Sequence, residues 1–178
     1  MKKLSVSLIA IYFLFGCASQ VEQHTFVSNA EPGISAGASK KVAVEIKTSK
    51  YVYKDSNLSE SIKDLGNAIS TELKKDLPEI KLVESSDEDK DIIVSAEIEE
   101  FRYVSGFSRL MTGILVGDAV LKIRVRIFDS KTNKLLSDRT FDTQSRALHG
   151  IFGATTPRQI AEIAKAISNQ YKEMAKTG

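Results

Sequence analysis

The chain contains a single cysteine, Cys17, so it has no second thiol with which to close a disulfide. Whatever the chain folds into must be held by burial of apolar side chains. The cysteine also lies at a boundary. Met1-Lys2-Lys3 precedes an apolar run from Leu4 to Phe15, and Gly16 separates that run from Cys17. A basic start, an apolar centre and a small residue before a cleavage point make a secretory signal. The run holds about 12 residues, short of the roughly 20 that a spanning helix needs. Residues 1–16 are therefore expected to be a signal removed from the mature protein.

Leu14-Phe15-Gly16-Cys17 resembles a bacterial lipobox. That resemblance implies a diacylglyceryl group on the Cys17 thiol, cleavage before it, and acylation of the new amino terminus. One acyl chain holds a protein weakly, at about 0.8 kcal/mol per buried methylene, whereas two or three hold it firmly. Ala18 follows the cysteine. In Gram-negative lipoproteins a residue other than aspartate there resembles an outer-membrane sorting signal, with the domain facing the periplasm.

Removing 1–16 takes away Lys2 and Lys3 and no acidic residue, so the remaining basic and acidic side chains balance. A neutral domain lacks the basic surplus that nucleic-acid binding needs. Residues 18–39 carry Gln20, Gln23, Ser28, Asn29, Pro32, Gly33, Ser35, Gly37 and Ser39. Such composition cannot offset the entropy of ordering, so 17–39 is expected to be the lipidated cysteine and a flexible tether. A coil of that length has a typical reach of roughly 25 Å. The alternative is that Thr25-Phe26-Val27 forms a short strand.

Residues 40–178 suffice for one domain with one core. Val42, Val44 and Ile46 alternate along a first strand. Leu58, Ile62, Leu65, Ile69 and Leu73 recur at helical spacing, with Asn57 and Glu60 as a capping box and Pro78 as the stop. Ile80 to Val83 reads as a short strand and Ser85 to Lys90 as a charged turn. Asp91 to Tyr103 and Val120 to Phe128 alternate as half-buried strands, and Asp129 to Lys134 turns the chain into a more polar strand from Leu135 to Arg146. Thr156, Pro157 and Gln159 suit the N-cap, N1 and N3 positions of a last helix striped by Ile160, Ile163, Ala164 and Ile167. The expected fold class is α+β: a two-layer sandwich with a mostly antiparallel sheet of about four to five strands. Two helices pack on one face. The other face is expected to be polar, carrying Glu97, Glu99, Lys122, Arg124 and Arg126, with Asp138 or Asp142.

From about Glu99 onward the chain resembles a family of bacterial lipoproteins known as domain of unknown function 4410. The resemblance rests on Phe107 to Gly117, the alternating strand after it, the run Phe128 to Leu136, and the loop Gly150-Ile151-Phe152-Gly153 before a closing helix. Met111-Thr112-Gly113-Ile114 departs from the shorter, glycine- and alanine-rich pattern common in the family. The resemblance implies a secreted or lipid-anchored sheet-and-helix domain and no particular reaction.

Chemistry is sparse. His24 falls in the tether and His149 in a glycine loop, and neither spacing makes a zinc site. No phosphate-cradling glycine motif occurs. Glu97 and Glu99 share a strand face with Lys122, Arg124 and Arg126 opposite, which reads as cross-strand ion pairing. No metal, cofactor or catalytic residue is expected, and the chain is not expected to be an enzyme. Two loops are unusually apolar: Leu110, Met111, Ile114 and Leu115 in one, Ile151 and Phe152 in the other. Apolar loop residues mark contacts when exposed, and these six are the candidate partner surface. The expected function is a non-enzymatic protein-binding or adaptor domain. It would be held to the envelope membrane by acylated Cys17 and would meet an envelope protein. The alternative is an assembly subunit that oligomerises or touches lipid through the same loops.

Overall fold

The computed structural model describes residues 22–25, 40–52, 57–105, 119–145 and 156–176. Eight elements follow one another: β1 (Glu22–Thr25), β2 (Lys41–Thr48), α1 (Leu58–Asp76), β3 (Lys81–Val83), β4 (Ile92–Arg102), β5 (Ala119–Asp129), β6 (Leu135–Ser145) and α2 (Thr156–Lys176). The six strands form one sheet in the order β1-β6-β5-β4-β2-β3. Strands β4, β5 and β6 make an antiparallel meander, and β1 adds antiparallel to β6. Strand β2 runs parallel to both β3 and β4. A parallel pair needs a crossover, and α1 supplies it between β2 and β3.

This is the expected α+β sandwich, with α1 and α2 side by side on one face of the sheet. Strand β1 lies within the stretch read as a tether. It covers only the Arg139–Asp142 portion of the β6 edge. Loop composition did not reveal it, because four residues of an edge strand need no apolar stripe when backbone pairing suffices.

The core lies between the helices and the inner sheet face. Leu65, Ile69 and Leu73 of α1 meet Ile163, Ala164 and Ile167 of α2, over Val94, Ile98, Leu121, Ile123, Val125, Ile127 and Phe141. Helix α1 ends where Pro78 requires. Leu77, constrained by the following proline, leaves helical geometry while its N–H still donates to Leu73 O at 2.9 Å.

Two expected caps are not formed. Asn57 occupies the N-cap of α1 but makes no side-chain capping bond. Its backbone φ of −87° and ψ of −6° are helical, whereas a capping side chain reaches back from an extended backbone. Thr156 is the first residue of α2, and its hydroxyl accepts from the Val104 N–H at 2.9 Å, a tertiary use in place of a cap.

Candidate interaction end

The two ends of the sheet differ in chemistry. At one end the 84–91 segment enters β4, and the 130–134 turn joins β5 to β6. Asp91 organises it. Its carboxylate accepts from the Lys41 N–H at 3.0 Å and faces Lys131 Nζ at 3.0 Å. Its backbone exchanges bonds with Lys41 and Ser130. The Lys41 N–H, then Lys131, hold the Asp91 carboxyl below the usual carboxylate range. Asp129 Oδ1 gathers the Thr132 N–H and hydroxyl, each at 2.8 Å, and the Lys131 N–H at 3.1 Å. Those bonds, the Thr132 N–H foremost, lower its pKa too. Asn133 takes the left-handed backbone, φ 53°, that asparagine tolerates. Lys41 also pairs with Asp89. The acids and lysines here hold the turns to the strands.

At the opposite end the strands finish as β4 leaves at Ser105, β5 enters at Ala119, β6 leaves at Ser145 and α2 begins at Thr156. Ala119 sits across from Ser145. The Thr156 N–H donates to Val104 O at 3.2 Å, reciprocating the bond from Val104 to the Thr156 hydroxyl. Gln159, fully buried, donates from one amide to Ala119 O at 3.0 Å and to Thr143 O at 3.1 Å. Thus α2 is tied to the ends of three strands. The described residues that flank segments 106–118 and 146–155, the stems of the two apolar segments, are gathered at one end of the sheet. Sequence reasoning valued Thr156 and Gln159 as helix starters and missed this role, because their partners are backbone groups 16 to 52 residues away.

The six candidate contact residues, Leu110, Met111, Ile114, Leu115, Ile151 and Phe152, lie outside the described residues, as do Cys17 and His149. Strand β2 runs toward the same end as the loop stems. Past its last residue, the Val52 N–H donates to Ser49 O at 3.1 Å, closing a turn. Val52 packs against the core, while Tyr51 projects outward, 80% exposed, with Lys50 Nζ 4.9 Å from its ring centre. No other large hydrophobic side chain among the described residues is so exposed. In sequence, Tyr51-Val52-Tyr53 reads as an extension of the strand or a crossing to the helix, which gave no signal for this.

The outer sheet face carries the expected charges, paired diagonally. Arg124 grips Asp138 through two bonds, Nε to Oδ1 at 2.9 Å and Nη2 to Oδ2 at 2.6 Å. Arg126 reaches Glu97 at 2.7 Å, and Lys122 reaches Glu99 at 3.3 Å. On the inner side, Ser168 is fully buried and donates to Asp76 at 2.9 Å, locking α2 to α1. Burial pushes the Tyr171 hydroxyl pKa upward, which holds it protonated. Among the described residues, no cluster of His, Cys, Asp or Glu could hold a metal, and no helix is long and apolar enough to cross a membrane.

No curated protein sequence matches the chain. Solved structures do resemble it. The PelC dodecamer from Paraburkholderia phytofirmans is 13% identical, with a TM-score of 0.51 over 84% of this chain and 97% of that one. Protein XCC0632 from Xanthomonas campestris is 9% identical, with a TM-score of 0.54 over 82% of this chain and 90% of that one. At such identities the likeness is one of fold. Residues 37–150 match the family described as domain of unknown function DUF4410, and with most of its length so matched the chain belongs to that family.

Proposed function

We propose that the mature protein is a lipid-anchored, non-enzymatic association domain of the bacterial cell envelope. Cys17 carries the lipid, and the two apolar loops meet an envelope protein. The observation that carries this reading is the convergence of both loop stems on one end of the sheet, tied by Thr156 and Gln159. On this reading the six large apolar side chains of those segments form one surface. A large side chain buried in an interface contributes about 1.5–3 kcal/mol before the costs of association. The alanine after the cysteine favours the outer membrane, with the domain in the periplasm.

The test joins stability to capture. Polar substitutions at Leu115 and Phe152 should weaken crosslinking to the envelope partner and leave the melting temperature nearly unchanged. A large loss of stability with normal capture per folded molecule would mean that the loops belong to the core. Replacing Cys17 by Ser should abolish lipid incorporation, and an unmodified Cys17 in the intact mass of the native protein would refute the anchor.

A second reading, an assembly subunit, is favoured by the dodecamer that shares this fold. Sizing the delipidated mature chain separates the two. A stable ring or oligomer supports assembly, and a monomer supports the adaptor.

A further inference from the structure

We infer that the domain stands on its membrane by the loop-stem end, with Tyr51, Lys50 and Arg102 at the level of the lipid headgroups. This rests on the reading of Cys17 as the lipid anchor and adds to it an orientation. It sets segments 106–118 and 146–155 toward lipid, the alternative to a protein partner at those segments.

The argument starts from the direction of β1. Its pairing with β6 is antiparallel, with Glu22 opposite Asp142 and Thr25 opposite Arg139. Strand β6 runs from the 130–134 turn toward the loop stems. The amino-terminal side of β1 therefore points to the loop-stem end. Cys17 precedes Glu22 by five residues, a link of at most roughly 17 Å. From the level of Glu22 to the last residue of β6, Asp142 to Ser145, is about 10 Å. The link can clear that end of the sheet. In the other direction Asp142 is level with Lys122, and from Lys122 to Asp129 along β5 is about 24 Å. The link cannot bring the charged end to the anchor. What composition reads as a long tether is, on the anchor side, a short one.

The position of an exposed tyrosine agrees with this direction. Among the described residues Tyr51 is the exposed aromatic, held out by the Ser49–Val52 turn. A tyrosine with an apolar ring and polar tip suits the membrane–water interface, and lysine or arginine beside it reaches headgroups. Lys47, Lys50 and Arg102 are exposed at this end, beside exposed Glu100. Asp87, Glu88 and Asp89 are exposed in the segment that enters β4 at the far end. Lys81, Lys131 and Lys134 are exposed at that far end as well, so charge does not set the two ends apart; the exposed tyrosine and the reach of the link do.

The absence of tryptophan from the chain makes the test direct. Lipidated mature protein carrying Tyr51→Trp is placed on phosphatidylglycerol and phosphatidylethanolamine vesicles containing lipid with a nitroxide-labelled headgroup. Lys134→Trp, an exposed position in the far turn, serves as the comparison. Flotation with the vesicles reads the anchor, and quenching reads the orientation. The expected result is flotation of both, strong quenching of the Tyr51→Trp variant and little quenching of the Lys134→Trp variant. Flotation with equal quenching, or with none at either position, overturns the orientation and leaves the anchor standing. Failure to float overturns the anchor, and the orientation falls with it. Melting of each variant before reconstitution confirms that the comparison is between folded proteins.

Discussion

The two faces of the sheet are built from the same strands by opposite means. On β5, Leu121, Ile123, Val125 and Ile127 point under the helices and are dry, while Lys122, Arg124 and Arg126 point the other way and remain partly exposed. The inner face is held by burial of apolar area, which is non-directional and large in sum. The outer face is held by diagonal ion pairs whose worth depends on how far each carboxylate is withdrawn from water. Damage to the inner face should therefore unfold the domain. Damage to the outer face should grade with the burial of the acid.

The largest effect is expected at Leu65, 1% exposed at the centre of α1. Leu65→Asp places an unpaired carboxylate among Ile69, Ile163 and the inner strands, and should destabilise by about 4 kcal/mol or more. Urea unfolding of the mature chain from residue 18 reads it. The chain should begin there and not at residue 40, because a start at 40 deletes β1 and uncovers the edge of β6. A Leu65→Asp protein that melts like the parent would break the contrast between the faces.

The next effect is the grip of Arg124 on Asp138. The Asp138 side chain is 4% exposed, whereas that of Arg124 is 40% exposed. Arg124→Ala leaves a buried carboxylate without its bidentate partner. Solvent that reaches the arginine's site softens the loss, so about 1–2 kcal/mol is expected. Arg124→Ala combined with Asp138→Ala should cost less than the sum of the two single changes. Additive costs in a double-mutant cycle would show that the pair is ornamental.

Legibility followed the same division. Alternation and helical spacing exposed the inner face because burial imprints a period on every residue of a strand or helix. The strands of the meander, both helices and the polar outer face were all readable that way. What periodicity does not record is pairing between distant backbones. Strand β1 is too short to show a period, and β2 reads the same whether its neighbour is parallel or antiparallel. Thr156 and Gln159 looked like helix-start residues because their identities suit that role. Their actual partners, Val104, Ala119 and Thr143, become neighbours only when the meander is folded. The two apolar segments were legible as composition and expected to form one surface, but the bonds from Thr156 and Gln159 that gather their stems were not.

Between the two helices, Ser168 tests an interaction that is polar yet on the inner side. Its hydroxyl, then Lys172 and Lys75, hold the Asp76 carboxyl below its ordinary value. A carboxyl with a folded-state pKa below the unfolded one stabilises above the unfolded value, near 3.9. That contribution is lost as pH falls through the lower, folded value. Ser168→Ala should thus lower the melting temperature by a few degrees at neutral pH. The deficit should shrink as the pH drops below about 4. A deficit that stays constant across that window would assign the effect to packing, or to the weaker bond from Ser168 to Glu72 O at 3.3 Å.

The smallest effect is expected at the pair of Lys122 and Glu99. Their nitrogen and oxygen are 3.3 Å apart, and their side chains are 38% and 30% exposed. Water screens both charges, and holding a long lysine in one rotamer offsets much of the attraction. Lys122→Ala should change stability by no more than about 0.5 kcal/mol, and less still at high salt. Compared with Arg124→Ala one position pair away on the same strand face, it isolates carboxylate burial as the variable. A loss at Lys122 as large as that at Arg124 would mean that the outer face acts as one connected charge network, and the graded picture of that face would have to be replaced.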